Sequence, residues 1–192
     1  MDPIMIDFPD EFYTERLWIR IPKPGDGRAV CEAVNGSLEE LRPWMKWAQE
    51  ELAEYDSEFG IRQSYIQFLS REKLRFLVFL RSTGQFVAAT SLHSIDWDVR
   101  RFEIGYWIDT RFSGNGYMTE AVQGLCDFAF SVLHARRLEI RCDTRNSSSI
   151  KIPRRLQFEL EGILRADDVS ADGQELRDTY VFSKLWDELR DR

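Results

Sequence analysis

The sequence predicts one α/β (α+β) domain over residues 1–192, with a mixed central sheet of about seven strands flanked by helices. Three observations carry this reading. Several segments alternate apolar and polar residues, as half-buried strands do. One long segment instead has the period of a helix buried on one side. The two kinds succeed one another in the order β-α-α-β-β-β-α-β-α-β-β, which asks for a sheet covered by helices.

Thr14 to Ile21 alternates as a strand, and Pro22, Pro24 and Gly25 end it. Residues 26 to 72 read as helices, with turn signals near Asn35-Gly36 and Ser57. Leu74 to Arg81 and Phe86 to Ile95 flank the turn Ser82-Thr83-Gly84-Gln85 and form a predicted hairpin. In the strand Phe102 to Asp109, residues Phe102, Ile104, Tyr106 and Ile108 share one face, and Glu103, Gly105 and Trp107 the other. From Gly116 to Leu133 the period is helical, with Met118, Ala121, Val122, Leu125, Cys126, Ala129, Val132 and Leu133 on one stripe. His134 is placed to cap its end. Leu138, Ile140 and Cys142 mark the next strand, and Asn146-Ser147-Ser148-Ser149 opens a short helix to about Gln157. Strands near 158–164 and 178–185 close the domain.

Composition narrows the function. Apolar residues make up 43% and aromatics 13%, enough for a core without staples and too many for a disordered chain. The net charge of −7 argues against broad binding of nucleic-acid phosphates and is compatible with a cationic acceptor. No apolar run approaches a membrane span, so no membrane partner is expected and a cytoplasmic location is. The three cysteines contain no CxxC pair, and the two histidines are far apart, so neither disulfides nor a metal is expected. No histidine is assigned to a reaction. Cys126 and Cys142 fall on buried stripes as packing residues.

The sharpest motif is Arg111-Phe112-Ser113-Gly114-Asn115-Gly116, between a strand and the long helix. Two glycines at a helix start leave backbone N–H groups unpaired and facing outward, where the helix dipole favours an anion such as a phosphate. A plain strand-to-helix turn is the alternative. The loop lacks the Gly-Lys-Ser/Thr of a Walker motif, and Thr119 stands where the third glycine of GxGxxG belongs.

This loop resembles the coenzyme A loop of the GCN5-related N-acetyltransferases, Q/R-x-x-G-x-G/A, with Arg111, Gly114 and Gly116 at the matching positions. The resemblance is to the branch that acetylates ribosomal-protein N-termini, the RimJ and RimL type. It extends through Thr14-Glu15-Arg16-Leu17, Glu103-Ile104-Gly105-Tyr106-Trp107-Ile108, Gly116-Tyr117-Met118-Thr119-Glu120-Ala121, Asn146-x-x-Ser149 and Phe158-x-x-Glu161-Gly162. Two departures stand out: Gln157 replaces a usual glycine, and Pro153 lies within the short helix, as it does in related sequences.

The resemblance implies a GNAT fold and direct transfer of acetyl from acetyl-CoA, without metal, to a primary amine. Trp107, Ile108, Arg111 to Thr119 (including Phe112, Ser113, Asn115, Tyr117 and Met118) and Asn146 would hold the cosubstrate. Glu103 would take the amine's proton or, on the plainer reading, be a solvated residue paired with Arg101 or a neighbour. Asp168 is a second acidic candidate, although acids are also common before a turn such as Ala171-Asp172-Gly173. Ser149 would assist the departing thiolate, or it and Asn146 serve only as helix caps. Trp44 and Trp47 would line the acceptor cleft or pack the helical layer. The implied acceptor is a protein N-terminus, with a small-molecule amine and a noncatalytic acyl-CoA sensor as alternatives, and the sequence leaves room for a homodimer.

Overall fold

The computed structural model of the chain describes residues 2–186. Among these, β1 (Glu11–Tyr13), β2 (Leu17–Arg20), β3 (Leu74–Leu80), β4 (Phe86–Asp96), β5 (Arg101–Ile108), β6 (Arg137–Asp143), β7 (Glu159–Val169) and β8 (Leu176–Leu185) form one sheet. Its order is β1-β2-β3-β4-β5-β6-β8-β7. All neighbours are antiparallel except β5 and β6. The helices are α1 (Gly27–Asn35), α2 (Leu38–Leu41), α3 (Glu54–Leu69), α4 (Tyr117–Ser131) and α5 (Ser147–Arg155).

The eighth strand is β1, which lies upstream of the predicted strand over 14–21; within that segment the strand itself is the shorter β2. Thr14, Glu15 and Arg16 turn the chain between β1 and β2, and the side chains of Thr14 and Arg16 are turned to Glu120 of α4. The turn expected near Ser57 is absent. Ser57 lies in the first turn of α3, buried, with its hydroxyl donating to the Gly27 carbonyl at 2.7 Å. A helix can bury a serine whose proton is satisfied in this way. His134 follows the end of α4 at φ 54°, a left-handed turn that carries the chain toward β6.

The sheet separates two cores. Phe102 and Ile104 of β5 pack with Ala121, Val122 and Leu125 of α4 on one face, with Tyr106 and Ile108 packed partly buried against them. On the other, Trp107 joins Val30, Val34, Leu38 and Ile61 of α1, α2 and α3. The predicted alternation of β5 therefore holds, and Glu103 and Gly105 fall on the α1–α3 face. Cys126 and Cys142 are buried, as their stripes predict, and burial pushes their thiols up to about 12 and about 11.

At the far edge, Arg137 of β6 reaches over β8 to Glu161 of β7, donating at 2.6 Å. This guanidinium holds the Glu161 carboxyl down to about 2 against a smaller opposing effect of burial, and the Ser183 hydroxyl of β8 adds a second hydrogen bond. The register of β7 slips between Leu160 and Gly162 and again between Leu164 and Asp168, where Ala166 takes φ 50°.

Helices α1 and α3 touch backbone to backbone at Gly27, where a Cβ would lie 2.5 Å from the Cα of Glu58. The Glu58 carboxylate in turn accepts the amides of Gly25 and Gly27. No side-chain rotation relieves a clash with backbone. Gly27→Ala should therefore destabilise the fold by about 1–3 kcal/mol, measured as a lower urea midpoint with unchanged slope.

Candidate active site

Strands β5 and β6 are paired only at Arg101–Arg137, Phe102–Leu138 and Glu103–Glu139. Beyond Glu103 they part, so alternate backbone groups of β5 on that side have no strand partner. The gap opens into a cleft of about 530 Å³, bounded by Ile104 to Trp107 of β5, by Arg141 to Asp143 at the end of β6, by Asn146 and Ser149, and by α1 and α3.

Past the end of β5 the chain enters the glycine loop. Buried Asp109 accepts the Arg111 amide at 3.0 Å and is gripped by the Arg111 guanidinium, which shapes the turn Thr110–Phe112. Gly114 and Gly116 then take φ 78° and 80°, a conformation that favours glycine. Intrahelical bonding resumes with the Glu120 amide donating to the Gly116 carbonyl. Among the described residues, the amides of Gly114 to Thr119 meet no acceptor. Such a row of converging N–H groups suits a phosphate.

Arg16, named in the sequence only as part of a motif, stands beside this loop. It donates to the Asn115 carbonyl at 3.1 Å and lies 4.5 Å from the ring centre of Tyr117. Its backbone amide and its Nε both bond Glu120, as does the Thr14 hydroxyl. Burial pushes the Glu120 carboxyl up, but these hydrogen bonds outweigh it and hold the group below its ordinary value.

Within the cleft Glu103 is partly buried, and its carboxylate accepts no hydrogen bond from the described residues. Its nearest nitrogen-bearing side-chain neighbours are His93, with Nδ1 at 4.0 Å, and the cationic Arg141, with Nε at 4.0 Å. Arg101, its expected partner, faces Asp96 at 3.9 Å instead. His93, given no role by sequence, sits directly across from Glu103 in the β4–β5 ladder and lines the cleft. Burial, aided by the charge of Lys73, lowers its pKa against the pull of Glu103. The available signal was the β4–β5 turn, but a register slip between His93 and Asp96 obscures the count.

Asp168 is placed differently. Its carboxylate accepts from Lys46 Nζ at 2.6 Å and from the Arg177 guanidinium at 2.8 Å. Lys46 first, then Arg177, holds it far below the usual carboxylate range. Both oxygens are thereby occupied, a poor state for a proton acceptor. Trp44 and Trp47 line the cleft, partly exposed, and Trp47 meets Trp107 edge-on at 5.8 Å. Trp107 is itself mostly core, while Ile108 packs toward α4 and lies outside the cleft.

The last wall is α5. Asn146 Oδ1 accepts the Ser149 amide at 3.0 Å, so its oxygen caps the helix as the plainer reading expects. Pro153 has no N–H to give the Ser149 carbonyl one turn before it. The Tyr106 hydroxyl donates there instead, at 3.1 Å. Its single proton thus committed, Tyr106 accepts from the Ser149 hydroxyl 3.0 Å away. Burial raises the Tyr106 pKa, keeping the phenol protonated. Gln157 adopts φ 60°, so the left-handed turn is kept by a non-glycine residue at a cost in backbone strain.

The description "Acetyltransferase (GNAT) domain" fits residues 16–159, three quarters of the chain. The chain belongs to the GNAT acetyltransferase family. It is 30% identical over 186 residues to the uncharacterized N-acetyltransferase p20 of Bacillus licheniformis, covering 92% of this chain and 96% of that protein. Its fold matches that of RimL, a ribosomal L7/L12 alpha-N-protein acetyltransferase solved with coenzyme A, at a TM-score of 0.83 and 21% identity over 91% and 96% of the two chains. The microcin C7 self-immunity acetyltransferase MccE, solved with acetyl-CoA and AMP, matches at 0.82 with 23% identity over 90% and 94%. Among the described residues of this N-acetyltransferase, no group of three His, Cys, Asp or Glu side chains is placed to hold a metal ion.

The Pro153–Tyr106 pairing makes a double-mutant cycle informative. In this N-acetyltransferase, Tyr106→Phe should cost about 1–3 kcal/mol by orphaning the Ser149 carbonyl. With Pro153→Ala supplying an N–H to that carbonyl, the same substitution should cost under about 1 kcal/mol, measured by urea denaturation of all four proteins.

Proposed function

We propose that this chain transfers the acetyl group of acetyl-CoA directly to a protein N-terminal α-amine, with Glu103 taking the amine's proton. The observation that carries this reading is the unbonded Glu103 carboxylate at the point where β5 and β6 part, inside the cleft. An amine must lose a proton to form an amide, and a carboxylate acting directly or through water can receive it. The amides of Gly114 to Thr119, with Arg16 beside them, would hold the pyrophosphate, and the unpaired edge of β5 would hold the amide-containing arm that leads to the thioester. Trp107, Asn146 and the loop from Arg111 thus keep the cosubstrate role that their motifs imply, while Arg111 acts chiefly by fixing the turn through Asp109. The Ser149 hydroxyl, turned away from Tyr106, would donate a hydrogen bond to the departing thiolate. Asp168, held by Lys46 and Arg177, would fix the β7–β8 hairpin against the segment after α2 and so shape the acceptor entrance. Trp44 and Trp47 would contact the acceptor.

An α-amine suits a single modest base. With a pKa near 7.8 it is about one-seventh neutral at pH 7, whereas a lysine near 10.4 is neutral about once in 2500 molecules. The ratio is about 350, or about 3.5 kcal/mol. RimL, which shares the fold, is described as an alpha-N-protein acetyltransferase, in keeping with this choice. A small-molecule amine is the second reading, favoured by the likeness to MccE and by the two tryptophans exposed at the cleft.

Two substitutions should separate binding from chemistry. Gly114→Asp should weaken acetyl-CoA binding more than tenfold in calorimetry by placing a carboxylate in the phosphate cradle. Glu103→Gln should leave that affinity nearly intact and lower kcat by about 10²- to 10⁴-fold. A change under threefold would remove Glu103 from the reaction. Mass spectrometry of peptides bearing both a free N-terminus and an internal lysine should show acetyl on the α-amine; acetyl mainly on lysine, or only on small amines, would overturn the N-terminal assignment.

A further inference from the structure

The floor of the cleft holds a pair of cations with no counter-charge. Arg75 lies on β3 and projects from the same face of the sheet as Glu103 and Gly105, and Lys73, in the residue just before β3, lines the same cleft. The register sets Arg75 beside Ser91, Ser91 beside Gly105, and His93 beside Glu103. Arg75 donates one hydrogen bond, to the Ser64 hydroxyl at 3.3 Å, and makes no ion pair among the described residues. Lys73 has neither. Both side chains line the cleft with protons that no other described residue accepts.

Several features keep that space open. The side of α3 above it carries Ser57, Gly60 and Ser64, and a Cβ on Gly60 would meet nothing within 4 Å. A Cβ on Gly105 would come within 3.0 Å of His93 Nε2, so this glycine leaves room for the histidine. The acids nearby do not serve the pair. Asp143 is taken by Arg145, and Glu103 is on β5, two strands away or about 10 Å between backbones. Asp56 is exposed and stands eight residues before Ser64 on α3, about 12 Å along the helix. Burial lowers the pKa of both cations, and Arg75 lowers that of Lys73 further, so an arriving anion would relieve both.

We propose that the acceptor carries an anionic group, a carboxylate or a phosphate, which Arg75 and Lys73 bind over β3 while the amine lies at Glu103. The pair then selects acceptors such as peptides with an acidic first residue or compact amines bearing a carboxylate or phosphate. This rests on the cleft being the acceptor site, as set out above, and names the substrate class it takes. Hydrogen bonds to charged partners in a recessed site are strong enough for at least tenfold discrimination.

The test compares acceptors with and without the anionic group. Peptides beginning with Asp or Glu are set against Asn or Gln, and O-phosphoethanolamine against ethanolamine, so that the two anion types are scored separately. The expected result is a kcat/KM at least tenfold higher for one anionic series than for its neutral control. Arg75→Met and Lys73→Met should abolish that ratio through KM, while acetyl-CoA affinity and the rate with neutral acceptors stay within threefold. Arg75→Lys, which retains the charge, should keep part of the preference, and urea melts confirm folding. Equal rates for charged and neutral acceptors, or a ratio unmoved in both Met variants, would overturn the proposal. Calorimetry of inorganic phosphate and of succinate binding to the coenzyme A-loaded protein tests the site without turnover. Anion binding that Arg75→Met abolishes supports the anion site even where no N-terminal peptide is acetylated, in which case the N-terminal reading alone fails; no binding of either anion overturns the anion site alone.

Discussion

Three residue pairs join β5 to β6 before the strands separate, and two antiparallel blocks, β1 to β5 and β6-β8-β7, meet in the sheet only there. A full ladder would satisfy every backbone group and leave no cleft. Parting after Glu103 leaves one edge of β5 unpaired in the middle of the sheet, where hydrogen-bonding groups normally find partners. The walls around the gap are fastened independently of it. Thr14 and Arg16 tie the β1–β2 turn to α4 through Glu120, and Tyr106 ties β5 to α5 through the carbonyl that Pro153 leaves free. The opening is therefore held by contacts on both sides.

What the sequence made legible was local. The alternation of β5, the stripe of α4 and the glycine loop with its free amides at a helix start each follow from a short window, and each has the expected form. What escaped was set by distance along the chain. Lys46 meets Asp168 across 122 residues, and nothing near Asp168 shows that two cations occupy its oxygens. Ser57 looks like a turn residue until the Gly27 carbonyl that takes its proton is in place. His93 faces Glu103 only because of the register, and a slip of the ladder hides that register from a simple count. Pro153 reads as a fault in a short helix, yet with Tyr106 opposite it is half of a hydrogen-bond exchange.

Charge behaves differently at the two scales. The whole chain carries −7, which acts on approaching molecules from outside. Inside the cleft, counter-ions and water screen less, and the nearest side chains dominate. There Lys73 and Arg75 make no ion pair among the described residues, Arg141 flanks Glu103, and burial disfavours the charged form of His93. Net charge alone, read as attraction for a cationic partner, describes the encounter and not the floor of the site.

The slipped register of β7 bears on self-association. A long edge strand with apolar side chains such as Leu160, Ile163, Leu164 and Val169 in solvent is a template on which a second chain could lay a strand. Two register slips and the left-handed Ala166 break that template into short pieces with different directions of hydrogen bonding. An incoming strand could stay in register for only a few residues before losing its partners. At the opposite end β1 has three residues, too few to nucleate much. Growth of the sheet by edge addition is thus disfavoured at both ends, and the unpaired backbone of β5 faces the cleft rather than an outer edge of the sheet.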